Sequence, residues 1–138
     1  MASAHFSSSL SEESIDAVES TLNRSSIHGA DIRFHGVVRD LEDGKKISGI
    51  DYSFYGDMAL QELDRIGKAL GEKYPGHLAL VHHRTGFVPA GEASILIRVQ
   101  TAHSAEGFEI SQEYLRRIKE TVPIWKEPVF EGEVGSRK

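Results

Sequence analysis

Ile118-Lys119-Glu120-Thr121-Val122-Pro123-Ile124-Trp125-Lys126 ends the longest helical pattern in the second half of the chain and holds its only tryptophan. Proline has no N–H and its ring clashes with the preceding turn, so a helix cannot continue through position 123. The residue before it is pushed towards extended geometry. The sequence therefore puts Lys119 in a last helical turn and Lys126 beyond the break, on a separately directed segment. Two ammonium groups on two rigid arms can converge on one anionic ligand, which two lysines at this spacing on a straight helix do less freely. Taken alone, the pair also fits two solvated surface lysines, and the rest of the chain has to decide.

Working back from this stretch, Phe108, Leu115, Ile118 and Val122 form the inward stripe of a helix whose N-cap is assigned to Ser104, with Glu106 suited to its positive end. His103 falls between a strand end and this helix start, beside free backbone N–H groups that suit an anion; a lone histidine there also fits a purely structural role. Ser94 to Ala102 reads as an apolar strand and Leu78 to Arg84 as another. His82 and His83 point to opposite faces of a regular strand, a poor metal clamp, so no metal site is expected. Gly86 to Glu92 reads as a turn through Pro89 and Gly91. Asp57 to Lys73 is the clearest helix, with Ala59, Leu63, Ile66 and Leu70 in one stripe, stopped by Tyr74-Pro75-Gly76.

Further upstream, Asp31 to Arg39 alternates with period two, and Gly36 suggests a bulge or a close backbone approach. Arg39 stands at the strand's end, where a guanidinium can be aimed into a cleft. Leu41 to Lys46 is a charged turn with a hairpin-like Asp43-Gly44, and Ile47 to Tyr55 resumes as a strand. Ser9-Leu10-Ser11-Glu12 fits a capping box for a helix reaching about Leu22. Glu127 to Lys138 reads as a polar, flexible arm. The order helix, two strands, helix, two strands, helix predicts a single α+β domain over 1–138, with antiparallel strands and three main helices; residues 1–28 are its N-terminal helix and connection.

A chain of 138 residues suits one domain. With 39% hydrophobic and 27% charged residues it has a soluble composition, and a net charge of −5 argues against nucleic acid as the main partner. No apolar run approaches a membrane span, and Met1 to Phe6 lacks the basic start and apolar core of a secretory signal. A cytoplasmic location is expected. The sequence has no cysteine, which excludes a cysteine nucleophile, a persulfide carrier and a thiolate metal site in this chain. Any sulfur chemistry would use sulfur delivered by another molecule.

Six pieces in order resemble the large, catalytic subunit of molybdopterin synthase: Phe34-His35-Gly36-Val37-Val38-Arg39-Asp40, the stretch from Tyr52 to Ile66 with Met58-Ala59, His83-Arg84-Thr85-Gly86, Gly91-Glu92, Ala102-His103 followed by Phe108, and Lys119 through Lys126. The likeness runs from about Gly29 to Lys126, and its proline–tryptophan–lysine segment is the most specific part. It implies an α/β hammerhead-like fold and a homodimer at the centre of a heterotetramer. It further implies a small ubiquitin-like sulfur-carrier partner whose C-terminal glycine thiocarboxylate enters a pocket, and cyclic pyranopterin monophosphate as substrate. No cofactor is expected. By position, Lys119 matches the family's catalytic lysine and Lys126 its second pocket lysine, while Arg39 and His103 fall at the anion pocket. Two departures stand out. Ser104 replaces the arginine that usually follows His103, leaving Arg84, Arg98 or a basic residue of the C-terminal end to substitute. The C-terminal arm lacks the family's tryptophan-bearing ending, with Arg137 and Lys138 as loose candidates for the basic residue that reaches across the dimer. They motivate an alternative reading, a non-catalytic homologue that binds a ubiquitin-like partner or a pterin without turnover.

Overall fold

The structure, a computed structural model, describes residues 5–132. Its elements in order are β1 (Phe6–Ser11), α1 (Ile15–Glu19), β2 (Ala30–Val37), β3 (Leu41–Glu42), β4 (Lys45–Phe54), α2 (Gly56–Lys73), β5 (Leu78–Arg84), β6 (Gly86–Pro89), β7 (Ala93–Thr101), α3 (Ser104–Thr121) and β8 (Ile124–Phe130). Four strands form one sheet in the order β1-β5-β7-β2, in which only the β1–β5 pair is parallel. The second sheet runs β3-β4-β6, with β8 also pairing β4. The mixed α/β, single-domain architecture with three helices agrees with the sequence expectation. Among the described residues no helix is long and apolar enough to cross a membrane.

The main core lies between the first sheet and helices α2 and α3. The α2 stripe of Ala59, Leu63, Ile66 and Leu70 is buried as its spacing predicts. Gly67 extends the stripe: a Cβ there would stand 2.4 Å from the Phe6 ring, so the helix sits directly on β1. On α3 the buried residues are Gly107, Ile110, Tyr114 and Ile118. The expected stripe began at Phe108, which is 65% exposed. Gly107 takes its place because a Cβ at 107 would meet Ile32 Cδ1 at 2.7 Å and Thr101 Oγ1 at 2.8 Å, a close approach that rotates Phe108 outwards. Tyr114 stacks on Phe6 with ring centroids 5.8 Å apart, and its hydroxyl lies 2.8 Å from His77 Nε2.

Three local expectations are corrected. Ser9 does not cap a helix: residues 6–11 are strand β1, and the short helix α1 is capped by Ser14, whose side chain accepts from the Ala17 N–H. The Gly86 to Glu92 segment contains strand β6, paired with β4. Residues 127–130, expected in a flexible arm, belong to β8; residues 133–138, including Arg137 and Lys138, lie outside the described residues.

Candidate functional site

Arg39 is positioned by the backbone on either side of it. The register of β2 shifts between Gly36 and Val37, the bulge that Gly36 suggested. The Val38 N–H then donates to the Glu92 carbonyl at 3.0 Å, and the Gly91 N–H donates to the Val38 carbonyl at 2.8 Å. Two residues later, the Asp40 carbonyl accepts from the Ile47 N–H at 3.0 Å. Arg39 is thus held between two anchored neighbours with its side chain in solvent. Among the described residues it is the one arginine with no carboxylate within ion-pair distance; Arg24, Arg33, Arg65, Arg84, Arg98, Arg116 and Arg117 each have one.

Lys126 reaches the same place from the other side. Val122 adopts φ −82°, ψ 125° as α3 ends, the extended geometry that Pro123 imposes. The chain then enters β8, where Lys126 pairs with Tyr52 of β4. Residues directly opposite in such a pair share a face. Arg39, Tyr52 and Lys126 accordingly line one cavity of about 350 Å³, together with Val37, Val38, Leu41, Glu42, Ile50 and Pro128. Val38 and Tyr52 of this lining belong to a small buried cluster with Val88. Burial raises the pKa of the Tyr52 hydroxyl, partly offset by a hydrogen bond with Ser94 and reinforced by the charge of Glu42, so the phenol stays protonated and able to donate.

His83 lies beneath this face, its ring edge-on to Tyr52 at 4.9 Å and to Phe54 at 5.1 Å. Its Nδ1 lies 2.8 Å from the Arg84 carbonyl. A carbonyl only accepts, so Nδ1 carries the proton and Nε2 keeps a lone pair. Burial, aided by the positive charges of Lys126 and His82, pulls the imidazole pKa from 6.5 to about 4, although the bond to the Arg84 carbonyl opposes this. The folded protein therefore binds fewer protons here than the unfolded chain between those values. The His83 contribution makes stability rise with pH across pH 4 to 6.5 and level off above it. A ring-nitrogen NMR titration should find His83 neutral down to pH 5; a midpoint near 6.5 would contradict the burial argument.

The remaining candidates occupy other places. Lys119 is exposed in the last turn of α3, where a cation complements the helix dipole, and it makes no ion pair among the described residues. His103 is itself the N-cap of α3, with no side-chain capping bond, and Ser104 is the first helical residue. Both are exposed. The assignment of Ser104 as N-cap is therefore off by one. Sixteen helical positions separate His103 from Lys119, about 24 Å at 1.5 Å per residue, so one chain does not bring them together. Arg84 pairs with Glu92 at 2.9 Å and lines a separate cavity with Ser14, Asp16 and His35. Arg98 is bound to Asp31, so neither arginine stands beside Ser104. His82 and His83 are both buried, His82 against Ser9 Oγ and the Glu13 carbonyl. No group of three or more His, Asp or Glu able to hold a metal occurs among the described residues. The sequence reading missed Tyr52 and His83 as part of the site. The alternation Ile50, Tyr52, Phe54 along β4 was the available signal for Tyr52.

The family model for the MoaE protein matches residues 10–121. The molybdopterin synthase catalytic subunit of Bacillus subtilis is 38% identical over 103 residues, which is 75% of this chain and 66% of that protein. This chain thus spans about two thirds of that relative's length. Among solved structures, molybdopterin synthase from Staphylococcus aureus superposes with a TM-score of 0.79 at 31% identity, covering 94% of this chain and 95% of that one. A complex of subunits 1 and 2 of the molybdopterin-converting factor from Helicobacter pylori shares the fold, with a TM-score of 0.68 at 19% identity over 96% of this chain and 94% of that one. The sequence match covers every strand and helix that shapes the cavity except the closing strand β8, which the structural match includes, and on both counts this chain belongs to the MoaE family.

Proposed function

We infer that this chain is the catalytic subunit of a molybdopterin synthase. It converts cyclic pyranopterin monophosphate to molybdopterin with sulfur from the C-terminal thiocarboxylate of a small ubiquitin-like carrier. The observation that carries this reading is the convergence of Arg39, without a carboxylate partner among the described residues, and Lys126 on one cavity. Such an arrangement suits a phosphate and a thiocarboxylate, both anionic. Arg39 offers a planar fork for bidentate contact with phosphate. Lys126 holds the second anion beside the neutral Tyr52, which packs on the His83 ring. Lys119, on the arm before the Pro123 break, stabilises negative charge developing during transfer and donates a proton. The sulfur is the carrier's own, consistent with a chain that contains no cysteine. A cytoplasmic place for this chemistry fits the composition of the chain.

His103 and Ser104 join the pocket from a second copy, since in one chain they stand at the far end of α3. A homodimer built this way forms the centre of a heterotetramer, with one carrier at each end. Ser104→Arg would then add a cation beside the substrate's phosphate. The expected result is a KM for the pterin lowered about tenfold with little change in kcat, the scale of one charge-assisted hydrogen bond. An unchanged KM would remove residue 104 from the pocket.

Reconstitution tests the whole reading: the protein is mixed with thiocarboxylated carrier and cyclic pyranopterin monophosphate, and the dithiolene product is detected. A stable complex without product would favour the binding-only homologue, for which Ser104, exposed at the start of α3, is the specific observation.

A further inference from the structure

Arg39 and Lys126 belong to different sheets, so the spacing between the two cations is set by whatever joins those sheets. Arg39 follows β2 of the first sheet, and Lys126 lies on β8, which pairs with β4 of the second. Without a carboxylate partner among the described residues, Arg39 takes its aim from its backbone rather than from an ion pair.

That backbone is turned by a bulge whose extra residue is on β7. Gly36 pairs with Ile95 and Val37 with Ala93, which leaves Ser94 opposite no residue of β2. A bulge bends the strand and re-aims the side chains beyond it. Ser94 is 6% exposed, and its hydroxyl donates to the Gly36 carbonyl at 3.3 Å. With its hydrogen committed there, the Ser94 oxygen accepts from the Tyr52 phenol. Tyr52 is 5% exposed, its ring is held edge-on by His83, and it lies directly opposite Lys126. The links run unbroken from the strand of Lys126 through Tyr52 and Ser94 to the carbonyl three residues before Arg39.

We propose that Tyr52 and Ser94 are positioning residues, two buried hydroxyls that fix Arg39 at the distance from Lys126 at which both anions of the reaction are held. The proposal rests on the function inferred above and deepens it. Both hydroxyls act through Arg39, and burial makes the link stiff, because a polar group in a low-dielectric interior is costly to unpair.

Steady-state kinetics of Tyr52→Phe, Ser94→Ala and Arg39→Ala, singly and combined, test the link. Tyr52→Phe keeps the ring against His83 and Phe54 and removes only the hydroxyl. Each hydroxyl variant should raise KM for the pterin about fivefold with kcat within about twofold, the scale of one neutral hydrogen bond. The pair together should be no worse than either alone, since breaking one link opens the chain. In an Arg39→Ala background Tyr52→Phe should change KM no further, because nothing is left to position. Amide exchange of Val38 reads the bulge without any reaction and should quicken several-fold in both hydroxyl variants. A thermal melt confirms that each variant folds. Wild-type KM and wild-type exchange in Tyr52→Phe and Ser94→Ala would overturn the link and leave the proposed function standing. A KM effect of Tyr52→Phe that persists in full in Arg39→Ala would make Tyr52 a direct contact of the substrate and also overturn it. No product from the natural chain would sink the function, and the exchange rates would then decide by themselves whether the hydroxyls hold the bulge.

Discussion

Lys119→Ala is expected to lower turnover by roughly 10²–10³-fold, the cost of removing one charge-stabilising donor from a reacting centre, while folding and carrier binding stay unchanged. The fold makes little structural use of the side chain. It is exposed in the last turn of α3, forms no ion pair among the described residues, and contributes about 0.3–1 kcal/mol through the helix dipole. Ile118, its neighbour, does the packing at 2% exposure. A group the fold can spare, placed one proline turn before the cavity lysine, is where a loss of rate without a loss of stability should appear. Single-turnover formation of the dithiolene, beside a thermal melt, gives the answer. Normal product from the variant would end the assignment, and an equal fall in rate and stability would show that the residue packs after all.

The largest expected effect on stability belongs to Asp31. Its carboxylate is 11% exposed and receives Arg98 Nε at 2.9 Å and Arg33 at 3.1 Å, with Arg24 on the outer side. Arg98 is itself only 7% exposed. Removing Asp31 strands a buried guanidinium, and breaking a buried pair from one side costs about 3–5 kcal/mol. Asp31→Ala should therefore shift the urea midpoint strongly, whereas Asp31→Ala with Arg98→Met should recover most of the loss, because no charge is left uncompensated. A double variant as unstable as the single would show that the guanidinium's packing, not its charge, is what matters. Burial alone would raise the Asp31 pKa, but the hydrogen bonds and charges of Arg98 and Arg33 outweigh it and hold the carboxyl below its usual value of 3.8. This contribution is present above the unfolded value and is lost as pH falls through the depressed one.

Glu113, on α3, adds to the same acid sensitivity. Lys73, Tyr74 and Arg117 hold its carboxyl down to about 2, with burial opposing them. Because Lys73 ends α2, Tyr74 caps it and Glu113 stands on α3, the contact ties the two helices together above pH 4.5 and releases them towards pH 2. Acid destabilisation should accordingly build up below about pH 4.5, as the unfolded chain takes up protons that the folded carboxylates at 31 and 113 resist.

What could be read from the sequence depended on how local the deciding contacts are. The stripe of α2 and the break at Pro123 are fixed by neighbours three or four positions away, and both appear as expected. Strand β1 was hidden because Ser7, Ser8 and Ser9 carry no apolar alternation; its partner is β5, about seventy positions further along, and a serine followed three residues later by glutamate imitates a helix start. On α3, Phe108 looked like a core residue because large apolar groups usually are, but the close approach of β2 and β7 selects glycine at 107. The site divides along the same line. Arg39 and Lys126 could be picked out individually by chemistry and position, while Tyr52 and His83 enter it only through the pairing of β4 with β8 and the approach of β5.

The Pro123 break also fixes a phase. From Ile124 onwards each residue alternates between the cavity side and the outer side of β8, so Trp125 and Lys126 face opposite ways, and the three residues between the end of α3 and the tryptophan decide which of the two faces the cavity. Adding or deleting one residue between Thr121 and Trp125 would turn the indole into the cavity and the ammonium out to solvent, with every side chain preserved. The charged hairpin at Asp43-Gly44, whose two residues already adopt positive φ at the molecular surface, carries no such constraint. Evolution can lengthen or shorten the chain there freely, whereas between the two lysines it is confined to substitution.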